Sequence, residues 1–133
     1  MRVFFFLIAL VITIPSIAQD EYHAIRENDQ ILVSYKVIEV KSKGALVPQI
    51  RIAIENKTDT YIDVSFEVNL HFDMEFVEAF KVSDQCIPPG NTVKGKIKGL
   101  YYNPESLTYA QLVSTDFEII GEEFSVKQVE ICK

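Results

Sequence analysis

The chain has 133 residues, 13 Lys or Arg against 19 Asp or Glu, a net charge of −6, two cysteines and no tryptophan. One domain is the expected scale for that length, with enough apolar residue content for a single core. The acidic balance and the lack of a Lys/Arg block make nucleic acid a poor expected partner.

Residues 1–18 read as an export signal. Met1-Arg2 is followed by a roughly 12-residue apolar run, Val3 to Ile14, then Pro15 and the small-residue cleavage pattern Ser16-Ile17-Ala18. The run is short for a membrane span, which needs about 20 residues. No cysteine follows the expected cut before Gln19, so a lipoprotein anchor is not indicated, and no membrane span is expected after cleavage. The Phe-rich run resembles Gram-negative bacterial signals, which implies a secreted or periplasmic protein. An oxidising destination makes Cys86 and Cys132 a predicted disulfide.

Residues 19–30 are polar without a period and are expected to form a loose N-terminal arm. The folded domain is expected over 31–133. Ile31 to Val40 predicts a first strand, with a change of phase at Ile38 that implies a bulge or a passage between sheets. Ile50, Ile52 and Ile54 predict a second strand facing inward. The turn residues Asn56-Lys57-Thr58-Asp59 are expected to join it to the next strand as a hairpin. That next stretch, Tyr61 to Phe72, is the clearest in the chain. Ile62, Val64, Phe66, Val68, Leu70 and Phe72 alternate with polar residues at period two, one face to a core and one to water. At about 3.3 Å per residue it spans roughly 40 Å, so bending or sharing between sheets is expected.

Phe76, Phe80 and Val82 fit a strand, while Phe76, Val77 and Phe80 fit one or two helical turns; the β neighbourhood favours a strand, and Pro88-Pro89-Gly90-Asn91 reads as a turn. Val93, Gly95 and Ile97 alternate with Lys94, Lys96 and Lys98, predicting a strand with a basic outer row that guards an edge. Tyr101 to Ser106 is a predicted loop. Tyr109 to Ile119 predicts a strand, Gly121-Glu122-Glu123 a turn, and Phe124 to Ile131 the last strand. Six or seven strands without a confident helix give an all-β, antiparallel β-sandwich of about seven strands.

The Ile-rich strand ending in Asn56-Lys57-Thr58, the long alternating strand, Cys86 before Pro-Pro-Gly and Gly95…Gly99-Leu100 resemble small secreted bacterial immunoglobulin-like sandwich proteins, most of them uncharacterised. That resemblance implies fold and location, and no site residues.

Few residues suggest chemistry. His71 and Asp73 are weak metal candidates, since residues two apart on a strand share a face. No Gly-x-Ser-x-Gly elbow, Cys–His pair or phosphate-binding glycine loop is present. The expectation is therefore a non-catalytic module without a cofactor. Tyr101, Tyr102 and Asn103 are its candidate contacts, because tyrosine gives large contact area at small entropic cost. The expected partner is a protein or a cell-surface glycan. A structural or assembly subunit of the cell envelope is the alternative, and a metal-binding or hydrolytic enzyme the less favoured third reading.

Overall fold

The computed structural model describes residues 21–133, so the predicted signal lies outside the described residues. Among the described residues, eight strands form two antiparallel sheets. The first sheet contains β1 (His23–Glu27), β2 (Ile31–Ser42), β3 (Ala45–Asn56) and the short β6 (Thr92–Lys94), with β7 (Tyr101–Tyr102) also pairing to β3. The second places β4 (Tyr61–Phe72) between β5 (Glu75–Ile87) and β8 (Phe117–Val129).

β4 is the centre of the second sheet, and its alternation is realised residue by residue. Ile62, Val64, Phe66, Val68 and Leu70 are buried and meet Ile31, Val33, Ile50, Ile52 and Ile54 of the first sheet in one core. The bends that accommodate so long a strand lie in its neighbours. Both β5 and β8 carry bulges near Ser65, with Asp84 and Glu123 at positive φ. The Asp84 amide donates to Ser65 Oγ at 2.9 Å, filling an acceptor where the ladder is interrupted.

Several expectations are corrected. β3 and β4 are not a hairpin, because they belong to different sheets and Lys57–Thr60 bridges between them. β2 runs in unbroken register against β3 for its whole length, so no bulge or sheet change occurs at Ile38. The polar arm contributes the edge strand β1, hydrogen-bonded to β2. The predicted strand from Tyr109 begins as a one-turn helix, α1 (Tyr109–Leu112). The Thr108 hydroxyl accepts from the Gln111 amide, and Gln111 Oε1 accepts from the Thr108 amide. This reciprocal cap, with Leu107 and Leu112 buried beside it, favours helix over strand.

Gly121-Glu122-Glu123 is likewise not a turn; β8 passes straight through it with a bulge. Gly121 is required by space. A Cβ there would sit 2.7 Å from the Phe124 ring and 2.9 Å from Ile25 Cγ2. That ring is itself stacked on Phe66 at 4.9 Å and covered by the Arg26 guanidinium at 4.3 Å. Gly121→Ala is expected to destabilise the fold by about 1–3 kcal/mol through overpacking, read from denaturant unfolding.

Candidate functional site

The predicted disulfide is present: Cys86 near the end of β5 is bonded to Cys132, just beyond β8. It links the two outer strands of the second sheet across β4.

Of the three candidate contact residues, two are held by the fold. The Tyr102 ring stacks on Phe80 with centroids 4.4 Å apart. Burial raises its hydroxyl pKa, and so do the nearby Glu78 and Glu105 carboxylates and a hydrogen bond to Glu78. Asn103 Oδ1 accepts from Gln49 Nε2 at 2.9 Å, and Gln49 Oε1 accepts from Arg51 Nε at 2.9 Å. Gln49 is buried, so this chain of amides satisfies groups that would otherwise be stranded. Tyr101, at 38% exposure, and Asn103 are the exposed members of the three, and Tyr102 is half-buried.

His71 packs edge-on to Phe76, with ring centroids 5.8 Å apart. Asp73 sits in the β4–β5 turn, where its amide donates to the Asp116 carbonyl. Among the described residues, no three His, Cys, Asp or Glu side chains are grouped as a metal site.

Of the exposed apolar side chains, which include Leu46 and Ile131, the two most exposed mark two other places. The first is the tip of the β4–β5 hairpin, where Met74 is 94% exposed and Phe76 is 60% exposed. The β2–β3 and β4–β5 turns each have two central residues at positive φ, the arrangement of a type I′ turn. The β2–β3 turn uses Lys43-Gly44, glycine taking the second position. The β4–β5 turn uses Asp73-Met74, with Met74 at φ 67°. A side chain with a Cβ in that region costs about 1 kcal/mol relative to glycine. Both hairpins run away from the Asn56 end, so their turns lie at the opposite end of the fold. Near the β4–β5 turn a cleft of about 540 Å³ opens between β1, the middle of β2, β8 and α1, lined by Tyr35, Tyr109, Val113 and Phe117. Phe117 meets Tyr35 edge-on at 6.4 Å.

The second place corrects the lysine strand. β6 stops at Lys94; Gly95 at φ 82° turns the chain out, and Lys96–Lys98 form one 3-10 turn. Ile97, expected on the inner face, is 99% exposed at its apex. Gly99 at φ 71° then brings the chain back to Leu100, which is fully buried. Sequence reasoning missed both Met74 and Ile97. For Ile97 the signal was Gly95, where period-two reading should have stopped.

No family model, curated protein or solved structure matches the chain.

Proposed function

We propose that this chain is an exported, non-catalytic binding module of the immunoglobulin-like sandwich type that recognises a protein through its hairpin end. One observation carries the reading: Met74 stands in water on a backbone conformation that disfavours it. A residue placed for folding would be glycine or asparagine, as the companion turn with Gly44 illustrates. Strain together with an exposed hydrophobe supports selection for contact. Phe76 extends the apolar surface, and Tyr109 and Val113 at the neighbouring cleft are also exposed. Methionine and aromatic side chains are the types enriched at protein interfaces.

Export is supported by the cleavage pattern before Gln19 and by the Cys86–Cys132 bond, which persists in oxidising compartments. The two antiparallel sheets, joined by the arch from β3 to β4, support the sandwich assignment.

The test is site-specific photo-crosslinking in the native export compartment, with a photoreactive residue replacing Met74 or, as a control, Ile131 beside the disulfide. A discrete adduct from position 74, absent at 131 and lost with Phe76→Asp, is the expected result. Equal labelling from both positions, or none from position 74, would overturn the assignment.

A further inference from the structure

The tip between β6 and β7 differs in charge from the rest of the molecule. From Thr92 to Tyr102 there are three lysines and no acidic residue, in a chain whose net charge is −6. Its apex is held firmly rather than left loose. The Gly95 amide donates to the Ile52 carbonyl, and the Ile52 amide donates to the Leu100 carbonyl at 3.0 Å. Across the base, Leu100 N donates to Gly95 O at 3.1 Å, and Gly99 N donates to Lys96 O at 3.0 Å. A short turn so pinned presents Ile97 in a fixed outward position. Folding gains nothing from that isoleucine, because at 99% exposure it removes almost no apolar area from water. Lys96 and Lys98 flank it, both exposed, and Tyr101 lies at the base with Lys96 Nζ 5.9 Å from its ring centroid.

We propose that this tip is a peripheral membrane contact that docks on an anionic phospholipid surface. Ile97 enters the boundary between headgroups and acyl chains, Lys94, Lys96 and Lys98 meet lipid phosphates, and Tyr101 sits at headgroup level. A projecting hydrophobe flanked by Lys96 and Lys98, with Lys94 exposed on the adjoining β6 and an amphipathic aromatic at the base, matches the chemistry of that interface. It requires no shaped pocket on the other side. Charge also selects this tip over the other exposed apolar surface. Met74 and Phe76 are accompanied by Asp73, Glu75, Asp116 and Glu118, which an anionic layer repels. The inference rests on the lysine tip alone and is independent of the protein-binding reading of the hairpin end.

The experiment is vesicle co-sedimentation of the disulfide-bonded chain lacking the export signal. Vesicles of phosphatidylglycerol in phosphatidylcholine are compared with phosphatidylcholine alone. Binding to the anionic vesicles only, weakening with added salt, is expected. Each Lys→Gln change at 94, 96 or 98 should weaken it about five-fold, and Ile97→Ser roughly ten-fold, with unfolding midpoints unchanged. Because the chain has no tryptophan, Ile97→Trp gives a single reporter whose emission should shift to the blue on anionic vesicles. Absence of binding, equal binding to neutral vesicles, or full binding by Ile97→Ser would overturn the proposal. So would binding to soluble polyglutamate with the same dependence on Ile97, which would assign the tip to an acidic protein partner instead. Met74→Ser should leave vesicle binding unchanged.

Discussion

Asn56→Ala is expected to lower the unfolding free energy by about 3 kcal/mol, among the largest losses available to a single polar side chain in this fold. Asn56 has no exposed surface and stands where β3 leaves the first sheet. Its Nδ2 donates to the carbonyls of Thr60, Ile87 and Pro88 at 2.7, 3.0 and 3.1 Å. Its Oδ1 accepts from the Thr58 amide at 2.9 Å and the Thr58 hydroxyl at 2.7 Å. One side chain therefore closes the arch and fastens it to the end of β5. Alanine would leave the buried Ile87 carbonyl without its donor, free the half-buried Thr60 and Pro88 carbonyls, and open a void besides. Asn56→Asp keeps the shape and the acceptor but aims a carboxylate at three carbonyl oxygens. Burial and those dipoles favour its neutral form, so the folded-state pKa is raised and the deficit should shrink as pH falls through it. Urea unfolding of both variants across pH is the check. The same geometry decides the glycosylation sequence Asn56-Lys57-Thr58. With its amide nitrogen buried and fully engaged, Asn56 is closed to a glycan in the folded chain.

Removing the disulfide should cost about 4 kcal/mol. The bond closes a separation of 46 residues, and the chain-entropy relation gives that figure for the unfolded state it restricts. For a domain of this size the loss is a large fraction of total stability. Cys86→Ser and Cys132→Ser should show it alike in guanidinium unfolding, and a reductant should bring the parent chain to the same midpoint. The effect should not simply add to that of Asn56→Ala. Asn56 bonds the carbonyl of Ile87, the residue next to Cys86, so the two devices fasten one corner of the molecule.

This corner and the strands around it show what sequence does and does not carry here. The paired cysteines and the alternation of Tyr61 to Phe72 were readable because each depends on period or composition alone, whereas the stretch around Phe80 was read as strand only from its β neighbourhood. The link from β3 to β4 was not, since turn-forming residues look the same in a hairpin and in an arch between sheets. A signal was present in the phase: Asn56 continues the inward series Ile50, Ile52, Ile54, so its side chain enters the core. The helix at Tyr109 was similarly announced by Thr108 and Gln111 at capping-box spacing, against a period-two pattern that suggested strand. Glu122-Glu123 resembled a turn because polar residues on a bulge and on a turn have the same composition. The hairpin tip was hidden for another reason. Nothing in Phe72-Asp73-Met74-Glu75 states that Met74 takes a positive φ, a property set by the two-residue connection between paired strands.

That conformation makes the proposed role of the hairpin end open to one paired measurement on Met74→Gly. Glycine removes the unfavourable backbone state, so the variant should be more stable by about 0.5–1 kcal/mol, less the entropy glycine adds to the unfolded chain. If Met74 is retained for recognition, the same variant should lose capture of the protein crosslinked from a photoreactive residue at Val113. A variant that unfolds later and still forms that adduct at the parental level would contradict the account.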